Sequence, residues 1–300
     1  MAAVRIFALL AVVAAACHGG APAAATIDEK QAAGLFNHFE IQTDPGMSGL
    51  AAAPDGTLWA VSERGHSVFH IRLASAGAGA GVAAAERIAV EGVPAETDLE
   101  SIAWLAEGRF AFGTESHGVG KATIVTAHQD GGRIVIDRAI DLPASLLGVD
   151  VGDNAGAEGL CGTGDVVFAA IETIGVDRGR RFAAIARVDL AGDARAAYRL
   201  WLTSDKGKLS SLDCTIGADG VAHAVGIERH FAISRILAFD LTPAGGDVTP
   251  TVVQDLGPIL RGALNLEGLA RLPDGRLALI NDNHYRVVTG PTELLVFKKP

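Results

Sequence analysis

Near its C-terminus the chain runs Glu267-Gly268-Leu269-Ala270-Arg271-Leu272-Pro273-Asp274-Gly275-Arg276-Leu277-Ala278-Leu279-Ile280-Asn281-Asp282. This is a short apolar segment, a Pro-Asp-Gly turn, a second apolar segment and a closing acid. Asp-Gly between two apolar runs is a strong hairpin signal. The pattern occurs five times, opening at Ser48, Glu100, Glu158, Ser210 and Glu267 and closing at Glu63, Glu115, Glu172, Glu228 and Asp282. The openings are 52, 58, 52 and 57 residues apart, and opening and closing positions are separated by 15, 15, 14, 18 and 15 residues. A period of this length marks a repeat architecture.

The second apolar segments, residues 58–61, 110–112, 166–171, 222–227 and 277–280, are short and bounded by turn residues, as strands are. Asp55-Gly56 and Asp219-Gly220 repeat the Asp274-Gly275 turn. Two further strands follow in each of the first four copies: 68–73 and 86–90, 122–127 and 133–140, 182–188 and 197–202, 234–239 and 249–253. Four strands per copy is the size of a propeller blade. The last copy has only residues 293–297 left, and residues 35–42 have no blade of their own. Lending that N-terminal strand to the last blade closes the ring and hides its edges. The expected fold is all-β, a five-bladed β-propeller; a six-bladed ring with one degenerate blade is the alternative.

Topology then concentrates charge. The first two strands of a blade are antiparallel, so the start of one and the end of the next share one mouth of the axis. Glu100, Glu158 and Glu267 are expected there with Glu63, Glu115, Glu172, Glu228 and Asp282, while Ser48 and Ser210 take the remaining inner positions. Crowded carboxylates repel unless protonated, salt-bridged or bridged by a cation. Calcium, which takes 6–8 oxygen ligands, suits them best. The opposing expectation is that Glu63, Glu115, Glu172 and Glu228 bond backbone N–H groups and staple the ring. Bases follow the closing acids: Arg64 and His66, His117, Arg229 and His230, His284 and Arg286. Arg178, Arg180 and Arg181 lie in the loop after Glu172, and Lys206 and Lys208 precede the fourth inner strand. Arg64, His66, His117, Arg229, His230 and His284 are the candidate catalytic set, since acids holding a metal beside cations suit an anionic, phosphorylated ligand.

The chain has 300 residues, is 49% hydrophobic and carries 35 acids against 25 bases, a net charge of −10. That balance argues against a nucleic-acid partner, whose binding needs a basic surface. Residues 1–25 read as a signal peptide: Arg5, an apolar run over 6–16, then Cys17. The run is too short to span a bilayer. Two processing routes fit: a lipoprotein site leaving a lipid on Cys17, or ordinary cleavage after Ala23-Ala24-Ala25. Residues 26–34 are a linker and 35–300 the propeller domain. The expected location is exported: periplasmic, envelope-anchored or secreted. Cys161 and Cys214 fall on equivalent strands of neighbouring copies but one position out of register. Their side chains are therefore expected to face opposite ways, as two buried small residues. No G-x-S-x-G elbow, P-loop or dinucleotide fingerprint is present in the sequence.

Ser48-Gly49-Leu50, Pro54-Asp55-Gly56-Thr57-Leu58-Trp59-Ala60-Val61-Ser62-Glu63-Arg64 and Asn265-Leu266-Glu267-Gly268-Leu269-Ala270 carry a resemblance. From about Phe36 onward the chain resembles the bacterial esterase-like phytase family and the related SdiA-regulated propeller proteins. The resemblance implies an exported propeller with a calcium-linked acidic mouth and a phosphoester or ester substrate. Glu100, Glu158 and Glu267 match the family's repeated acidic position, from which Ser48 and Ser210 depart. Two functions follow from these residues. One is calcium-dependent hydrolysis of an anionic small-molecule substrate; the other is a non-catalytic envelope propeller that binds a partner protein, with structural acids.

Overall fold

The Asp-Gly turns form as the sequence sets them. Gly56 takes φ +85° and Asp55 Oδ1 accepts the Thr57 N–H at 2.9 Å; Gly275 takes φ +87° and Asp274 accepts from Arg276 at 3.1 Å. Only a residue without Cβ adopts such φ values cheaply, so the hairpin position is fixed locally. The structure is a computed structural model that describes residues 26–27, 35–63, 65–74, 82–116, 121–153, 155–191, 195–230, 233–261, 264–283 and 290–299. The expected signal segment, with Cys17, and the residues Arg64, His117, His284 and Arg286 lie outside the described residues.

The strands, in chain order, are β1 (Thr26–Ile27), β2 (Leu35–Ile41), β3 (Met47–Ala52), β4 (Leu58–Ser62), β5 (Ser67–Leu73) and β6 (Val82–Glu91). Next come β7 (Thr97–Ala106), β8 (Arg109–Ser116), β9 (Ala122–Asp130) and β10 (Arg133–Leu142), then the single-turn helix α1 (Ala144–Leu147). β11 (Ala157–Thr163), β12 (Val166–Asp177), β13 (Arg180–Asp189) and β14 (Arg195–Trp201) follow, then β15 (Lys208–Ile216), β16 (Ala222–His230), β17 (Ile233–Leu241), β18 (Gly246–Val248) and β19 (Thr251–Asp255). The last are β20 (Leu260–Arg261), β21 (Leu266–Arg271), β22 (Leu277–Asn281) and β23 (Thr292–Phe297).

Antiparallel blades form from β3–β6, from β7–β10, from β11–β14, from β15–β17 with β19, and from β21–β23 with β2. The closing strand is the expected one: β2 pairs with β23, Phe39 opposite Leu294. Two pairings were not legible in the sequence. β6 and β10 run parallel and join two blades into one sheet, and β18 adds a parallel strand to β14. The strand expected at 249–253 forms as β19 over 251–255, after Pro250, which has no N–H for a ladder, and β18 at 246–248 is a strand the sequence reading did not place.

The inner strands β3, β7, β11, β15 and β21 each pack against the next, and β21 returns to β3. The small second residue of the repeat permits this. A Cβ on Gly49 would meet Ser101 Cα at 2.7 Å, one on Gly159 would meet Leu212 N at 2.8 Å, and one on Gly268 would meet Leu50 Cβ at 2.8 Å. Where serine stands instead, Ser101 Oγ donates to the Ala157 carbonyl at 2.5 Å and Ser211 Oγ accepts the Leu269 N–H at 2.8 Å. Apolar clusters fill the spaces between successive blades, such as Trp59, Val61, Ile102 and Phe110, or Leu50, Leu58, Ala270 and Ile280. Blades stacked face to face around a ring of inner strands make a β-propeller.

That stacking overturns the cysteine expectation. Cys161 of β11 and Cys214 of β15 form a disulfide, their Cα atoms 5.6 Å apart. In one flat sheet a one-residue offset sends side chains to opposite faces. Successive blades meet by opposite faces, so the side chains that meet across the gap are the pair of odd offset. The parity that argued against a disulfide is the parity it requires.

Candidate ion-binding mouth

Every inner strand carries a register irregularity at the opening position of its repeat: between Met47 and Gly49, Leu99 and Ser101, Ala157 and Gly159, Leu209 and Ser211, Leu266 and Gly268. Ser48, Glu100, Glu158, Ser210 and Glu267 are the extra residues, without a ladder partner. A bulge bends the strand and re-aims its side chain, which explains why a buried strand accepts glutamate there. Glu100 and Glu158 are each 6% exposed and Glu267 7%.

Two groups of acids converge. Oxygens of Glu63, Asp98 and Glu100 lie within 4.8 Å of one another, and so do those of Glu115, Glu158 and Glu172. Each group joins the closing acid of one blade to the bulge acid of the next. Ser101, bonded to Ala157, keeps the two bulges side by side. Glu100 accepts the Ser48 hydroxyl at 2.8 Å. Burial, then the carboxylates of Glu158, Glu63 and Glu115, hold Glu100 well above the usual carboxylate range, and the Ser48 bond offsets this only partly. Among the described residues no hydrogen bond or ion pair engages the Glu158 carboxylate.

Fixed cations stand beside these acids. Lys208 pairs with Glu172. Its ammonium is lowered from the ordinary lysine value by burial, against the pull of Glu158, Glu100 and Glu115. Arg229 holds Glu267 through two bonds, Nε to Oε2 at 3.0 Å and a second from Nη2 to Oε1, so this inner acid is neutralised by a neighbour. Glu228 takes the stapling role set against metal binding above. It accepts the N–H groups of Thr203 and Ser204, each at 3.0 Å, and the hydroxyls of both residues, each at 2.5 Å. Asp282 accepts the Asn265 amide at 2.8 Å. Ser210 donates to the Leu266 carbonyl at 3.1 Å. Of the histidines, His66 is tied through Nε2 to the Thr97 carbonyl at 2.8 Å, and His230 is exposed.

A sequence profile of the phytase-like family, described as esterase-like activity of phytase, matches residues 42–285. The chain belongs to the phytase-like family. Among curated proteins, none matches the chain. Solved structures similar to this phytase-like chain include the PQQ-bound aldose sugar dehydrogenase of Streptomyces coelicolor, 12% identical, covering 93% of this chain and 99% of that one with a TM-score of 0.46. Regucalcin of Agrobacterium tumefaciens, a calcium-binding protein, is 12% identical over 89% of this chain and 96% of its own, TM-score 0.45. A thermostable family-43 glycoside hydrolase is 11% identical over 86% and 91%, TM-score 0.49.

Asp98 is the member of the acidic groups that the repeat pattern missed. Its signal was the spacing Asp98-Leu99-Glu100, two acids two residues apart at a strand start. Asp213 was missed as well. It lies at the far end of the inner strands, in a cavity of about 460 Å³ lined also by Cys161, Cys214 and Arg271. Burial pushes its carboxyl up to about 7, opposed by Arg271 and by the N–H groups of Arg271 and Cys214.

Proposed function

We propose that this phytase-like propeller has five blades, is exported, and hydrolyses a phosphoester or ester bond of an anionic small molecule at its acidic mouth, with calcium as cofactor. The observation that carries the reading is the group of Glu115, Glu158 and Glu172, whose carboxylate oxygens lie within 4.8 Å of one another with Glu158 only 6% exposed, against which Lys208, paired with Glu172, supplies a single positive charge. Crowded carboxylates repel unless protonated, salt-bridged or bridged by a cation, and one lysine among three of them leaves room for a bound cation to complete the account. Calcium–oxygen distances of roughly 2.3–2.6 Å put two ligand oxygens at most about 5 Å apart, which the 4.8 Å groups satisfy. Bound calcium supplies charge that polarises a phosphoryl or carbonyl oxygen. Lys208 and Arg229, each fixed by a carboxylate, stand beside the acids and orient the anionic group. The inter-blade disulfide supports export, since such bonds persist in oxidising compartments.

Hydrolysis of a chromogenic phosphomonoester with calcium and after chelation tests this. Turnover that requires calcium is expected. No turnover under any divalent metal, with a calcium-independent Tm, contradicts the reading. Glu228 favours the second reading, a non-catalytic envelope propeller for a partner protein, because its four donors make it a structural acid.

A further inference from the structure

In most blades the second strand stops at the mouth: β4 at Ser62, β8 at Ser116, β22 at Asn281 and β16 at His230. β12 runs on past Glu172 to Asp177 and returns as β13 from Arg180, a hairpin where a loop was expected. The register breaks between Ala170 and Ile174. Residues 171–173 leave the ladder, which turns Glu172 to the acids while the hairpin continues outward. At about 3.3 Å per residue, Arg178 stands roughly 13 Å beyond Ile174.

The tip is Arg178-Gly179, with φ +49° and +78°. Positive φ at both central residues is the geometry that favours Asn-Gly or Asp-Gly. Among the described residues, Arg178 and His66 are the non-glycine residues in this region. Local propensity disfavours arginine there, and such departures concentrate at functional or strained sites. Arg178 is exposed. The Arg180 guanidinium lies 4.2 Å over the Trp201 ring. Neither has a carboxylate partner among the described residues, in a chain of 35 acids and 25 bases. Asp177, the acid of the tip, is taken by Arg199, which also binds Asp247.

We propose that the β12–β13 hairpin is a recognition arm for an elongated, linear polyanion, with Arg178 and Arg180 as an anion-binding subsite beyond the mouth. A convex tip does not enclose a small anion. A chain of phosphate groups that reaches from the mouth to the tip engages both sites, and the second contact is intramolecular. The placement of the reacting end rests on the proposed function; binding by the arm does not.

The test is Trp201 fluorescence under titration with inorganic polyphosphate, inorganic monophosphate and phosphatidylglycerol vesicles, with and without calcium. Trp201→Phe supplies the background from the other two of the chain's three tryptophans. Polyphosphate is expected to bind at least tenfold tighter than monophosphate, and Arg178→Ala with Arg180→Gln to lose about tenfold of that. A calcium increment reports the mouth and arginine dependence reports the arm, so a calcium-independent, arginine-dependent signal upholds the arm while counting against the proposed function. Polyphosphate affinity unchanged in the double variant overturns the proposal. So does arginine-dependent binding to vesicles alone, which makes the arm, with Val176 67% exposed beside its tip, a membrane contact.

Discussion

Asp213 and Glu228 show how the same side-chain type acquires different roles in one fold. Asp213 has a folded pKa of about 7 against an ordinary 3.8. Its ionisation is therefore disfavoured in the folded state. The penalty is absent below the unfolded value, grows as pH rises from about 4 to 7, and stays in full above that. Asp213→Asn keeps an acceptor for the Arg271 N–H and is expected to raise Tm at pH 8 but not at pH 4, as thermal melts will show. Glu228 has a structural role instead, accepting four hydrogen bonds from Thr203 and Ser204. Glu228→Ala is expected to cost about 3 kcal/mol in denaturant unfolding, for a buried charged acceptor lost, while leaving the calcium response in place. The acids themselves were legible as a recurrence, but their division was not. That division depends on Arg229 reaching Glu267 across 38 residues and on the 203–204 backbone reaching Glu228. No sequence period encodes such partners.

Element-level structure was the most readable part, because hairpin chemistry is local. The Asp-Gly turns and the places of the strands follow from neighbouring residues, and the closing strand β2 follows from the one place left vacant in the last blade. What escaped was non-local: the parallel pairing of β6 with β10, the added strand β18 beside β14, the extended β12–β13 hairpin and the disulfide. Each depends on how one blade meets another or on a bulge that the apolar pattern does not show. The disulfide joins inner strands 53 residues apart in sequence. Loop-closure entropy for that length gives about 4 kcal/mol, so replacing both Cys161 and Cys214 with alanine is expected to lower unfolding stability by up to about that amount. Chemical denaturation of the double variant against the oxidised protein measures it. A loss below about 1 kcal/mol means that the apolar cluster around Phe168, Leu200 and Leu212 holds the two blades unaided.

At the scale of the molecule, repetition explains both the fold and the mouth. Small residues at one repeat position bring inner strands together, and the bulge beside them points an acid inward. Two such junctions in sequence give the acidic half; at the next, Ser210 stands in place of an acid, and Lys208 and Arg229 pair with Glu172 and Glu267. The central claim is that the acidic half is completed by calcium. Thermal unfolding of the full protein with increasing calcium, compared with Glu158→Gln, tests it most directly. Ligand at 100 times its Kd adds about 2.7 kcal/mol, so the wild-type Tm is predicted to climb by several degrees while that of Glu158→Gln stays flat. A wild-type Tm that does not respond to calcium, or a Glu158→Gln variant that responds equally, contradicts it.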